Sequence, residues 1–136
     1  MPKAIGIDYG TKRVGISISD SSQLIATGLT TVVNNNIFQF LNELFNKQDI
    51  DTVVIGDARN LDGNKTDSSI EIEKFITKLK RKYPNKKIYM IDERFTSKIA
   101  FQSIIDSGVK KQKRKDKSLI DEVSATIILQ DYLSHK

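Results

Sequence analysis

With 136 residues, 29% of them charged, and a formal net charge of +5, the chain is long enough for one domain with a real core and basic enough to suit a polyanionic partner. It has no cysteine, which excludes disulfides, thiolate zinc sites and a cysteine nucleophile and fits a reducing compartment. The single histidine, His135, is one residue from the end, which argues against a Ser-His-Asp triad or a histidine metal site; no signal-peptide core and no apolar run of membrane-spanning length occurs, so a cytoplasmic protein with no membrane partner is expected.

Ile5 and Ile7 alternate with Gly6 and Asp8, and Val14, Ile16 and Ile18 alternate with Gly15, Ser17 and Ser19, the period of two half-buried strands joined by a turn at Gly10-Thr11-Lys12. In that pairing Asp8 ends the first strand on the side carrying Gly6, beside positions occupied only by glycine or serine. Such a bare patch has room for a metal ion or a phosphate, with Lys12 and Arg13 in the turn beside it. An isolated Asp-x-Gly is also a common turn aspartate that bonds its own backbone, so both readings stand.

Gln23 to Val33 reads as a third strand completing an antiparallel meander, and Asn34-Asn35-Asn36 punctuates it. Ile37, Phe38, Phe40, Leu41, Leu44 and Phe45 predict a helix from about 36 to 48, capped by one of the asparagines, with its aromatics in the core. Thr52-Val-Val-Ile-Gly56 suits a parallel strand buried on both faces, followed by a polar loop. Ser68 and Glu71 form a capping box for a helix carrying Ile72, Phe75, Ile76 and Leu79; its basic end, Lys78-Leu-Lys-Arg-Lys82, is accounted for by the helix dipole alone.

Ile88 to Ile91 predicts another buried strand, followed by Asp92-Glu93-Arg94, and Thr96 or Ser97 caps a short helix closing at Gly108. The stretch 110–117 has no apolar periodicity and reads as a mobile loop; its cations Lys110, Lys111, Lys113, Arg114, Lys115 and Lys117 face one acid, Asp116, and so match the whole net charge. Ser118 is expected to cap the last helix, with Ile120, Val123, Ile127 and Ile128 towards the core. The order predicts one α/β domain over residues 1–136, a mixed five-stranded sheet of three antiparallel and two parallel strands flanked by helices.

Three acids compete for a role: Asp8, Glu93 just past the last strand, and Asp121 on the first turn of the final helix. If strands one, four and five run parallel, their carboxyl ends share the edge where open α/β sheets place their sites, which brings Asp8 and Glu93 together. At roughly 100° per residue Asp121 shares a helix face with Ser124, Ala125 and Ile128, whose first two side chains are small enough for a close approach that aims Asp121 at the other acids. Each acid also has a purely structural explanation: Asp121 completes a capping box with Ser118, and Asp92-Glu93-Arg94 suits a surface ion pair in a first helical turn.

Clustered carboxylates without histidine or cysteine make a hard oxygen site for Mg²⁺ or Mn²⁺. Such ions, paired about 4 Å apart, activate water and stabilise the leaving oxygen in phosphodiester cleavage without a protein general base. In such a cluster, Asp121→Ala is expected to preserve or raise metal-free stability, because it relieves like-charge repulsion.

Gly6-Ile-Asp8-Tyr-Gly10-Thr-Lys-Arg13-Val-Gly15-Ile-Ser-Ile-Ser-Asp20, Asp92-Glu-Arg-Phe-Thr96 and Asp121-Glu-Val-Ser-Ala125 together resemble the YqgF/RuvX family, essentially end to end and in order. The resemblance implies a ribonuclease H-like fold related to the resolvase RuvC. It also implies a nuclease that matures the 5′ end of precursor 16S rRNA in ribosome biogenesis, with a Holliday junction or other branched DNA as the alternative substrate. Carried over by motif, Asp8, Glu93 and Asp121 become the catalytic, metal-binding acids, and Arg13 and Arg94 contact phosphate or hold the acids in place. With Lys12 and the six cations of 110–117 they make up the expected nucleic-acid contacts. Two positions depart from the family pattern: Gly56-Asp57-Ala58 stands where a Gly-x-Pro loop is common, which leaves Asp57 as a candidate extra acid, and Ser124-Ala125 replaces a double alanine.

Ile5 to Thr11 is also similar to the phosphate-binding turn of the sugar kinase, Hsp70 and actin superfamily, but those ATPases close two such domains around the nucleotide and one domain exhausts this chain. Gly10 to Ser17 misses a Walker A loop because Ile16 stands at the lysine position. A non-catalytic RNA-binding or ribosome-assembly protein that works through the basic loop fits the same residues. A monomer or weak dimer is expected.

Overall fold

The computed structural model describes residues 2–57, 67–91 and 117–135. β1 (Lys3–Tyr9), β2 (Arg13–Ser19) and β3 (Ala26–Val33) form the meander, and a tight 3-10 turn at Asn34–Asn36 enters α1 (Ile37–Lys47). β4 (Ile50–Asp57), α2 (Asp67–Lys82), β5 (Lys87–Ile91) and α3 (Lys117–His135) follow. The strands make one sheet in the order β3-β2-β1-β4-β5, antiparallel across β1–β2 and β2–β3 and parallel across β1–β4 and β4–β5, as the element order predicted.

Alternation sorts the strand residues between two covered faces. Ile5, Ile7, Val14, Ile16, Val53 and Ile55 pack with Ile37 and Leu41 of α1 and Ile72, Phe75 and Leu79 of α2 in one core. Ala4 and Val54 meet Ile128, Leu129 and Leu133 of α3 in a second. Fully burying such a side chain contributes about 1.5–3 kcal/mol. β1 is consequently buried on both faces from Ala4 to Tyr9, and the half-buried strands of the sequence reading are corrected to a doubly covered sheet centre.

The bare patch has the same explanation. A Cβ on Gly6 would lie 2.7 Å from the Ala125 carbonyl oxygen and 2.8 Å from the Leu129 Cβ, and one on Gly15 would collide with the backbone carbonyl of Asp121. The Ser17 hydroxyl donates to the Ala125 carbonyl at 2.7 Å. Glycine and serine on β1 and β2 thus let the α3 main chain lie directly on the sheet, and most of the space reserved for a ligand is filled by that helix.

Other local expectations shift for identifiable reasons. No asparagine side chain caps α1; the asparagines make the 3-10 turn ahead of it. α2 is described from Asp67 and α3 from Lys117, so Ser68 and Ser118 are the second described residues of their helices. The α3 core face runs through Ser124, Ala125, Ile128, Leu129 and Leu133, whereas Val123 and Ile127 are half-buried. β5 ends the described sheet, so Tyr89 and Met90 are exposed where a buried strand was predicted. The predicted helix after Thr96 and nearly all of the basic loop lie outside the described residues.

At the β2–β3 hairpin the Asp20 carboxylate accepts from the backbone N–H groups of Leu24 at 2.7 Å and Ile25 at 3.1 Å. The Ile25 bond first, then that of Leu24, holds its carboxyl below the ordinary 3.8. The anion therefore favours the fold above about pH 3.8, and the benefit disappears as pH falls through the lowered value. Asp20→Ala should destabilise the protein at neutral pH, with the deficit shrinking in urea melts below pH 3.8. Gly15→Ala should lose about 3 kcal/mol or more, because backbone must move to admit the methyl group, whereas Gly28→Ala, whose Cβ would sit 3.3 Å from the Thr126 hydroxyl, should stay within about 1 kcal/mol of the parent in the same melts.

Candidate active site

Asp8 sits at the centre of the sheet, paired in register with Gly15 of β2 and Gly56 of β4. Two residues beyond Gly6 on the same face, its side chain points to the α3 side with only glycines flanking it, and it is 6% exposed. The first turns of α3 bring Asp121 over Gly15. Asp8, Asp121, Lys12 and Arg13 then line one cavity of about 280 Å³, with Tyr9, Gly10 and Thr11 completing its wall.

Arg13 Nε donates to Asp121 Oδ2 at 2.8 Å, tying the first residue of β2 to α3 across 108 positions of sequence. The bare patch adjoins this cavity and is smaller than expected, because the α3 main chain lies over Gly6, Gly15 and Ser17. Among the described residues the lining carries two carboxylates and two cations.

Sequence reasoning missed Asn34. Its side-chain amide donates to the Gly10 carbonyl at 2.7 Å and its backbone N–H to the Lys12 carbonyl at 3.0 Å, so one residue braces both ends of the turn that carries Lys12. The available signal was an amide side chain directly after a strand, where it can satisfy a neighbouring turn.

Glu93, Arg94, Lys110, Lys111, Lys113, Arg114 and Lys115 lie outside the described residues. Lys117 is the first residue of α3, and Asp57 the last of β4, paired with Tyr9. Among the described residues no group of three acids, histidines or cysteines forms a metal cluster. The two carboxylates that do share a cavity are hard oxygen donors, and Mg²⁺ commonly takes one or two carboxylates while keeping several waters, so the donor set fits such an ion. Among the described residues no helix is long and apolar enough to cross a membrane.

A family model described as "RuvX: Holliday junction resolvase" matches residues 2–135. The chain belongs to the RuvX family. Curated RuvX relatives include a protein of Flavobacterium psychrophilum, 50% identical over 136 residues that cover 100% of this chain and 99% of the relative, and one of Flavobacterium johnsoniae, 46% identical with the same coverage. Both are named "Putative pre-16S rRNA nuclease". Among solved structures, RuvC of T. thermophilus in complex with a Holliday junction substrate superimposes with a TM-score of 0.59 at 14% identity, covering 98% of this chain and 94% of that one. Fowlpox virus resolvase bound to Holliday junction DNA gives the same score and identity, with 97% of each chain covered. These likenesses carry the fold, the ribonuclease H-like arrangement that the family resemblance implied.

The Arg13–Asp121 pair reverses one expectation. Asp121 stands beside a cation as well as an acid, so Asp121→Ala should lower metal-free stability rather than raise it, leaving Arg13 half-buried beside apolar replacement. A double-mutant cycle with Arg13→Ala should return a coupling of about 1 kcal/mol that weakens only slightly in salt.

Proposed function

We propose that this RuvX protein is a divalent-metal-dependent nuclease whose reacting phosphate lies at the mouth of the Asp8–Asp121 cavity. The observation that carries the reading is the meeting of two carboxylates from opposite ends of the chain in a cavity edged by Lys12 and Arg13. Asp8, Asp121 and Glu93 hold Mg²⁺ or Mn²⁺, which when bound activates water and stabilises the leaving oxygen. Asp8 is the fixed member, because hydrogen-bonded strands run on both sides of it. Arg13 keeps Asp121 oriented, and Lys12 on the exposed turn meets the incoming phosphodiester, as do Arg94 and the cations of 110–117.

The names of the relatives support precursor 16S rRNA as substrate, and with it a role in ribosome biogenesis in the cytoplasm as part of this reading. The family description favours branched DNA as the second substrate to test. Residues 1–136 act as one ribonuclease H-like domain, as a monomer or weak dimer.

Asp8→Asn keeps the shape of the side chain and removes the charge that holds the ion. It should reduce Mn²⁺-dependent cleavage of a precursor 16S 5′ segment by at least about a hundredfold, while circular dichroism melts stay cooperative. The metal-induced rise in melting temperature should vanish with it, since a ligand stabilises only through its affinity for the folded state. Undiminished cleavage by the folded variant would refute the metal site, and cleavage of a four-way junction but not of the RNA would transfer the reading to DNA.

A further inference from the structure

A groove of about 740 Å³ lies on the α1/α2 side of the sheet, with Tyr9 at one end, Asn35 and Phe38 on one wall, and Lys74, Lys78 and Arg81 of α2 on the other. Two features separate it from an ordinary solvated helix face. The first is an excess of cations: Lys74, Lys78 and Arg81 outnumber the lining acids Glu71 and Glu73. Lys74 has Glu71 at 3.9 Å, but Lys78, Arg81 and Lys82 have no ion pair among the described residues. The ammonium groups of Lys78 and Lys82 nevertheless converge on one ring, 5.5 and 5.2 Å from the centre of Phe38. The helix dipole favours cations in the last turn of α2, but it does not gather two of them over an aromatic side chain of a different helix. Like charges brought together this way oppose folding and are relieved by an anion.

The second feature is continuity with the site. Tyr9, the residue after Asp8, lines both the site cavity and this groove. Asn34, which holds the Gly10 carbonyl beside Asp8, also lines the groove. Tyr9 thus borders both openings at the C-terminal end of β1.

We propose that the groove binds single-stranded nucleic acid continuous with the strand being cut, with successive phosphates on Lys78 and Arg81 and an unpaired base against Phe38. Arginine's planar fork suits a phosphate, and sequence-tolerant single-strand sites combine aromatic stacking with nearby cations, as Phe38 with Lys78 and Lys82 offers here. A duplex keeps its bases inside the helix and has none to offer Phe38. The inference rests on the nuclease reading for the origin of the strand and extends the substrate to one with a single-stranded tail.

The test measures binding apart from cleavage, by fluorescence anisotropy of a labelled single-stranded RNA of about 12 nucleotides with the Asp8→Asn protein in chelator. Adding Lys78→Ala and Arg81→Ala should weaken binding about tenfold at low salt and flatten the slope of log K against log salt by about 1.4, about 0.7 for each lost phosphate contact. The protein should stay cooperatively folded with only a small change in melting temperature, because both side chains are exposed. The charge-reversed pair, Lys78→Glu with Arg81→Glu, should weaken it further. An unchanged affinity and slope, or no binding of single-stranded RNA by the unsubstituted groove, overturns the proposal. Cleavage by the wild-type protein is scored separately: cleavage with an indifferent groove leaves the nuclease reading standing and removes the groove, and groove-dependent binding without cleavage does the reverse.

Discussion

The close seating of α3 on the glycine and serine face of β1 and β2 is the constraint on which the rest of the structure depends. At Gly6 and Gly15 the helix and sheet main chains approach so nearly that a single methyl group on either strand would meet helix backbone. One bond from Ser17 to the Ala125 carbonyl fixes the helix along the strand direction, and the Arg13–Asp121 pair fixes its first turns. Ordinary apolar packing tolerates sliding by a fraction of a side chain; contact between main chains does not. The position of Asp121 relative to Asp8 is therefore set by backbone geometry more than by the choice of side chains around it.

The two sides of the sheet divide the labour. The α1/α2 side holds the larger apolar core, with aromatic contacts from Tyr9 through Phe75 to Phe38. The α3 side holds a smaller core and the carboxylates. Adjacent residues of one strand serve each side: Tyr9 anchors the large core while Asp8 faces the cavity, so stability and chemistry are only one Cα apart on β1. That neighbourhood explains why so much of β1 is buried even though one of its residues is charged.

Much of the fold was legible in the sequence, because alternation and helical spacing report on side chains and the strands and helices here obey them. Strand directions followed from the order of elements, and Asp8, Lys12, Arg13 and Asp121 came from local patterns that survive folding. What faced the glycines was not legible. A residue without a side chain does not say whether it opposes a ligand, water or another backbone, so the patch beside Asp8 was read as empty when it carries a helix. The exposure of β5 was hidden for a related reason: a run of four apolar residues looks the same at the edge of a sheet as at its centre. Asn34 was missed because its partners, Gly10 and Lys12, are separated from it by two strands and brought close only by the meander.

The carboxylates come from opposite ends of the chain, and this separation orders events in time. Asp8 belongs to the first described strand and Asp121 to the last described helix, so a nascent chain carries only one acid of the pair through most of its synthesis. Until α3 is made, Gly6, Gly15 and Ser17 have nothing to meet, and the central strand is covered on one side only. The pair of acids therefore forms in the same step that completes the hydrophobic interior. Translation order thus sets when the two carboxylates can first face each other: only once α3 has been made.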